Sequence, residues 1–237
     1  MKAILLTAGQ GSRLLPYTQS MPKHLLPLGS TTIIHRTIKI LRDIGIQDIA
    51  MVVGYLKEKF YEAFPKDIQF YTNEAYPVTD QAASLAKAVE KLEDDFLVIA
   101  GDLFCPRKVF VQILEKPHPI CLAIEKRKGP FNDVTEKVCT RGESIFKIGK
   151  LNVLNGEANG EFLGLTKVRK EKASFFLRHL KAALLENPRS AIIHVHQKII
   201  DAGCPLPYIH CGDSWCEIDE PATWKKAKEI FQKTPDY

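Results

Sequence analysis

The sequence predicts an α/β fold: a Rossmann-like, doubly wound sheet, mixed but mostly parallel. Short continuous apolar runs recur through the first half, at residues 2–6, 48–54, 95–100 and 119–125. Stretches with helical spacing alternate with them, the pattern of crossover units. Two of the runs end in glycine and acidic or polar residues, where an open sheet of this kind presents its ligand crevice.

Residues 2–6 form a run that is unbroken and apolar after Lys2. The run is too short for a signal peptide and meets a glycine-rich turn at once, so it reads as a buried strand. Within residues 33–44, Ile34, Ile38, Leu41 and Ile44 fall on one helical stripe, and Gly45 supplies a stop. A strand at 48–54, a helix at 55–64 and a short strand at 67–71 follow. Residues 82–92 read as a helix with Leu85, Val89 and Leu92 aligned. Next come a strand at 95–100, a helix at 109–114 and a strand at 119–125. Beyond that, shorter strands at 136–139, 144–148 and 161–168 are joined by turns at Gly142 and Asn155-Gly156. Helices at 173–186 and 191–201, a strand at 206–210 and a closing helix at 222–231 complete the reading. No linker or repeat divides the chain. One domain is expected over 1–231, with a first part at 1–125 and a second at 126–231, and a tail at 232–237.

Composition narrows the function. The chain has 237 residues, 45% apolar and 26% charged, as in ordinary globular proteins. The net charge of +5 is spread along the chain, whereas nucleic-acid binders gather lysine and arginine on one face. No apolar run is long enough to cross a bilayer. The six cysteines form no Cys-x-x-Cys pair, and reduced thiols in a cytoplasmic protein are expected.

Two strand ends hold the chemistry-bearing residues. The first reads Thr7-Ala8-Gly9-Gln10-Gly11-Ser12-Arg13-Leu14-Leu15-Pro16, followed by Met21-Pro22-Lys23. Glycines let backbone N–H groups approach a phosphate, and Arg13 and Lys23 add cationic donors. Alone, the Gly9-x-Gly11 spacing is equally served by a tight strand-to-helix turn, and it is neither a Walker loop nor a full dinucleotide fingerprint. The second strand end is Val98-Ile99-Ala100-Gly101-Asp102. An acid there suits a divalent cation, or a plain turn or helix cap.

The two ends taken together, with Pro16, Thr18, Pro22-Lys23 and Leu25-Leu26-Pro27-Leu28, closely resemble the opening of the sugar-phosphate nucleotidyltransferase family. The resemblance continues through Val53-Gly54-Tyr55, Gly101-Asp102, Gly160-Glu161-Phe162 and Trp215-Cys216-Glu217-Ile218-Asp219. Residues 73–79, 94–97, 160–164 and 217–221 look most like the branch acting on phosphocholine and related aminoalcohol phosphates or phosphonates, whose members generally use CTP. The resemblance implies a glycosyltransferase-A-like nucleotidyltransferase fold. It implies transfer of a nucleotidyl group from a nucleoside triphosphate, CTP favoured, to a small phosphorylated acceptor, with magnesium as cofactor, and it is compatible with a homodimer. It places Thr7, Ala8, Gly9, Gly11 and Gly101 beside the nucleotide, Arg13 and Lys23 on its phosphates as the catalytic cations, and Thr79, Gln81 and Ser84 near the base. It assigns the metal to Asp102 and Asp219 and the acceptor to Lys137, Glu161 and Trp215. A sugar phosphate remains open as acceptor, because the 192–196 helix carries His194 and His196 where relatives often carry acids. Tyr76, Phe104, Phe131 and Trp215 are the aromatic candidates for holding an ammonium group.

A rival metal reading rests on His194, His196, Cys204, His210, Cys211 and Cys216, zinc-type ligands within one short stretch. Their spacing fits no familiar zinc pattern, and His-x-His on a helix turns its rings to different faces. A non-catalytic nucleotide-sensing subunit on the same fold is the rival function.

Overall fold

The computed structural model describes residues 1–64, 68–89, 92–212 and 214–233. In chain order the strands are β1 (Lys2–Leu6), β2 (Pro27–Leu28), β3 (Thr31–Thr32), β4 (Asp48–Val53), β5 (Gln69–Thr72), β6 (Phe96–Ala100), β7 (Leu103–Phe104), β8 (Ile120–Glu125), β9 (Lys137–Arg141), β10 (Ser144–Gly149), β11 (Gly160–Val168), β12 (Leu206–His210) and β13 (Cys216–Glu217). The helices are α1 (Ile33–Asp43), α2 (Lys57–Ala63), α3 (Gln81–Val89), α4 (Arg107–Glu115), α5 (Lys170–Glu186), α6 (Ile192–Asp201) and α7 (Pro221–Lys233).

Nine strands form one mixed sheet in the order β5-β4-β1-β6-β11-β8-β12-β10-β9. β5, β4, β1 and β6 run parallel, as does the β8–β12 pair. Antiparallel pairing joins β11 to β6, β8 and β9, and β10 to β9 and β12. The expected parallel character is therefore confined to the first-half block and one later pair. The extra β11–β9 pairing closes β11, β8, β12, β10 and β9 into a ring. Gly164 permits this turn of the chain. It lies at φ +80, and a Cβ there would come within 2.5 Å of Ala100 Cβ on β6.

Alternation along β1 explains the two cores. Ile4 and Leu6 join Leu85, Phe96, Phe176 and Ile193 on the α3, α5 and α6 side. Ala3 and Leu5 join Ile38, Phe60 and Phe110 on the α1, α2 and α4 side. A strand buried on both faces needs a continuous apolar run, which is what residues 3–6 supply. A third cluster (Leu14, Leu26, Leu28, Ile33, Phe104, Cys216, Ile218, Ala227) ties the loops after β1 to α7.

Most expected elements stand within a residue or two of their predicted bounds. The helix expected at 55–64 starts later, at Lys57, because Leu56 sits in the left-handed region at φ 48. Tyr55 instead caps the loop, its N–H donating to Ala8 O at 3.0 Å and its hydroxyl to Thr18 O at 2.9 Å. Asp67 and residues 90–91, at the ends of two expected elements, lie outside the described residues. Of the expected tail, Gln232 and Lys233 belong to α7, and 234–237 lie outside the described residues. Among the described residues no helix is long and apolar enough to cross a membrane.

Candidate active site

The loop after β1 is held open by its own glycines. Gly11 lies at φ +67, and its carbonyl accepts the Thr18 hydroxyl at 2.9 Å. The aliphatic stem of Lys23 passes over Gly11 so closely that a Cβ there would lie 3.1 Å from Lys23 Cβ. Nothing lies within 4 Å of a Cβ built on Gly9, so this backbone faces open space.

The second strand end is packed tightly. A Cβ on Gly101 would come within 2.6 Å of Thr7 Cγ2, 2.7 Å of His24 Cδ2 and 2.8 Å of Leu6 O. Gly101 therefore lets β6 end beside β1, and Asp102 follows directly. A short ribbon then delivers the other acid: β13 pairs antiparallel with β7, and the Ile218 N–H donates to Asp102 O at 3.0 Å. Asp219 is thereby set against Asp102 although 117 positions separate them in the chain (219 minus 102).

Lys23 bridges the pair. Its ammonium donates to Asp102 Oδ2 and, at 2.7 Å, to Asp219 Oδ1, while Arg13 donates to the other oxygen of Asp219. Burial alone would lower the Lys23 pKa, but Asp102 and then Asp219 outweigh it and hold the ammonium above its ordinary value. Two carboxylates converging on one cation are a hard-oxygen donor set. That suits magnesium, which commonly takes one or two carboxylates and completes its shell with water and substrate phosphates. Among the described residues no group of three or more His, Cys, Asp or Glu is placed to hold a metal, so a cation here would need such outside donors.

Two cavities meet at this bridge. The smaller, about 190 Å³, is lined by Ala8, Gly9, His24, Asn73, Tyr76, Thr79 and Ser84. The larger, about 760 Å³, is lined by Arg13, Arg127, Glu136, Lys150, Glu161, Trp215 and Glu217, among others. Lys23, Asp80, Gln81 and Asp102 line both. In the smaller cavity, buried Asn73 organises the polar wall. Its Nδ2 donates to Thr79 Oγ1 at 3.1 Å and Ser84 Oγ at 3.0 Å, and its Oδ1 accepts from Ala75 N–H at 3.2 Å. Gln81 Oε1 accepts from the Ile192 N–H at 3.4 Å, which leaves its amide donors toward the cavities.

The larger cavity carries more acids than bases, with Arg13, Lys23, Arg127, Lys150 and Lys226 set among them. Arg127 grips Glu161 through two parallel bonds of 2.7 and 2.8 Å and stacks 4.4 Å over Phe131. Burial holds the Glu136 carboxyl well above the usual carboxylate range, countered by Lys150 at 3.4 Å. Glu217 is also pushed up, by burial and then by Asp102, Glu136 and Asp219.

Not every expected residue reaches a cavity. The Thr7 hydroxyl donates to Val52 O at 2.9 Å and the side chain is fully buried, so it locks β1 to β4. Lys137 is 3% exposed and donates to Asn155 Oδ1 at 3.1 Å; neighbouring Glu136, one step along the extended chain, lines the cavity instead. Of the aromatic candidates, Tyr76 and Trp215 line cavities, while Phe104 is buried under Arg36 and Phe131 backs Arg127. The zinc-type residues scatter. His194 accepts from the Ala191 N–H, His210 accepts from the Lys126 N–H, and His196 is buried against Phe162, its pKa pushed down to about 3 by burial. Cys211 sits in the opposite core from His196.

Sequence reasoning missed Asn73, Asp80, Glu136, Arg127 and Lys150 as site residues. Asn73 lay within a motif stretch, and a polar residue just past a strand was its signal. Lys150 and Arg127 carried none.

The model of the MobA-like NTP transferase domain matches residues 3–156. The chain belongs to that family. Among curated relatives of this NTP transferase, the CTP:phosphoglutamine cytidylyltransferase of Campylobacter jejuni is 25% identical, over 92% of this chain and 96% of its own. The bifunctional IPC transferase and DIPP synthase of Aquifex aeolicus is 27% identical over 98% of this chain, which spans only 52% of that protein. The choline-phosphate cytidylyltransferase of Streptococcus pneumoniae is 37% identical over 43% of this chain and 45% of its own. The solved inositol-1-phosphate CTP transferase of T. maritima superposes with a TM-score of 0.77 at 24% identity, covering 98% of this chain and 96% of that one. That likeness shows a shared α/β nucleotidyltransferase fold.

Proposed function

We propose that this NTP transferase is a magnesium-dependent cytidylyltransferase that moves CMP from CTP to a small phosphorylated acceptor and releases pyrophosphate. One observation carries the reading: Asp102 and Asp219 converge on Lys23 where the two cavities meet. Membership of the family and the cytidylyltransferase names of full-length relatives support it. The smaller cavity, built mostly from residues 1–125, takes the nucleotide; the larger, walled mainly by residues 126–231, takes the acceptor.

The chemistry is an in-line displacement. An oxygen of the acceptor phosphate or phosphonate attacks the α-phosphorus, a new P–O bond forms, and the bond to the β-phosphate oxygen breaks. The obstacle is anionic repulsion between the partners, so positioning and charge neutralisation do the catalysis. The open backbone at Gly9 admits the nucleotide, and Thr79, Gln81 and Ser84 offer polar groups to the base. Lys23 turns from the two aspartates to the α-phosphoryl oxygens. Arg13, half exposed at the cavity mouth, meets the departing pyrophosphate. Magnesium held by Asp102 and Asp219 supplies polarisation of the α-phosphoryl group.

The acceptor is read as an aminoalcohol phosphate or phosphonate. The missing acids of the 192–196 helix are replaced by Glu136, Glu217 and Asp80, which reach the larger cavity from other elements. Burial pushes the Glu136 and Glu217 carboxyls up, and a cationic head group between them would favour their ionised forms in a way a neutral sugar would not. The enzyme is read as cytoplasmic, with its six cysteines as free thiols.

The test is pyrophosphate release with magnesium, each of the four ribonucleoside triphosphates, and a panel of aminoalcohol, polyol and sugar phosphates. CTP with an amine-bearing acceptor should be fastest. Silence across the panel would support the sensing-subunit alternative. Full activity in Asp102→Ala would overturn the metal assignment.

A further inference from the structure

A third cavity of about 740 Å³ lies between α3 and α5, behind the nucleotide cavity and outside the acceptor cleft. Its size is that of a small-molecule site. Its floor is apolar: Ala83, Ala86 and Val89 from α3 face Leu177, Leu180 and Leu184 from α5. The alanines matter, because larger side chains there would fill the groove. Its rim is cationic, with Lys87, Arg178 and Lys181, and no acidic residue lines it. Neither Lys87 nor Lys181 has an ion pair among the described residues, and Arg178 only stacks 5.9 Å over Phe175. The groove thus offers an apolar trough beneath positive charge that has no ion pair among the described residues. Its complement is an apolar chain ending in an anion.

The groove also touches the nucleotide cavity. Asn73 and Thr79 line both. Asn73 is 1% exposed and holds Thr79 and Ser84 by the two amide bonds described above, so one side-chain layer separates the spaces. A ligand pressing on Asn73 from behind shifts the polar wall that faces the base.

We propose that this groove is a regulatory site for an amphiphilic anion, a single apolar chain with one phosphate or carboxylate head, whose occupancy changes nucleotide affinity through Asn73. The coupling rests on the nucleotide reading of the smaller cavity; the binding itself does not.

The test is calorimetry on the full chain with monomeric dodecyl phosphate and dodecanoate, with dodecyltrimethylammonium and inorganic phosphate as controls. CTP affinity is then measured with and without dodecyl phosphate. Saturable binding of one dodecyl phosphate is expected, with neither control binding. Dodecanoate binding as well marks a general anion site, and dodecyl phosphate alone marks a phosphate-selective one; both support the proposal. The charge-reversed R178E/K181E variant should lose roughly tenfold or more in affinity, since it reverses the charge-assisted contacts, while binding CTP alone as wild type does. CTP affinity should move by about fivefold or more on occupancy, the usual scale of coupling between sites. Equal binding of the cationic amphiphile, unaltered binding by R178E/K181E, or no saturable binding would overturn the site. Should R178E/K181E fail to fold, A83L, which fills the groove, must abolish binding in its place. Binding with CTP affinity unmoved would overturn the coupling. A chain that binds dodecyl phosphate but no CTP would refute the nucleotide reading and leave the site standing.

Discussion

Replacing Lys23 by alanine leaves Asp102 and Asp219 facing each other across the gap the ammonium filled. The side chains of Lys23, Asp102 and Asp219 are 12, 15 and 19% exposed, so the arrangement is largely removed from water. Removing one partner from a fully buried ion pair costs about 3–5 kcal/mol. Residual exposure here, and the Arg13 contact that remains on Asp219, reduce this to roughly 1–3 kcal/mol. The neighbours hold the lysine pKa above its ordinary value, so this stabilisation is complete at neutral pH and is lost only as pH climbs into the alkaline range. Magnesium should restore what the lysine supplied: at a hundredfold excess over Kd, a native-state ligand contributes about 2.7 kcal/mol. Lys23→Ala should therefore unfold at lower urea concentration than wild type in EDTA and recover more of the difference on adding magnesium. Pyrophosphate release should fall by about 10²–10³-fold, the scale of losing one preorganised transition-state donor. Wild-type urea midpoints in EDTA, or identical magnesium responses of both proteins, would refute the bridge as described.

Further outcomes follow from individual contacts. Burial lifts Glu136 from 4.5 to about 7, so the folded protein holds its proton more tightly than the unfolded chain and wild type loses stability as pH rises through that window. Glu136→Gln should flatten urea stability between pH 5 and 8 and be the more stable at pH 8, by up to about 3 kcal/mol. Gly101→Ala meets backbone and side chains within 2.8 Å and should cost about 1–3 kcal/mol in thermal unfolding. Gly9→Ala, with nothing within 4 Å, should melt like wild type but bind CTP more weakly by calorimetry. Arg127→Lys removes the paired grip on Glu161 and should raise the acceptor KM, with the nucleotide KM little changed.

Much of the site was legible because its residues sit where chain direction leaves little choice. Gly9, Gly11 and Asp102 follow buried strands directly, and the crevice of such a sheet lies there. Lys137 shows the limit. The motif offered it to the acceptor, but an extended chain alternates its side chains, and Glu136 lines the cavity while Lys137 turns to the interior. Thr7 differs for another reason: its hydroxyl donates to the Val52 carbonyl and its side chain is fully buried, which turns it to the sheet interior. The β7–β13 ribbon was invisible, because two-residue strands have no period to detect. The mixed second half was readable as strands and turns but not as a ring, since its closure depends on which edges find each other.

Local chemistry along the chain, then, settled which segments are strands and helices, where glycine must lie, and which charged groups follow the sheet's edge, because those depend on neighbours a few residues apart. Long-range packing alone determined that Asp219 meets Asp102, that Arg127 neutralises Glu161, and that acids from separate elements line one cleft. Pairings between distant residues follow from how the two cores stack helices on the sheet, and no short window of sequence contains that information.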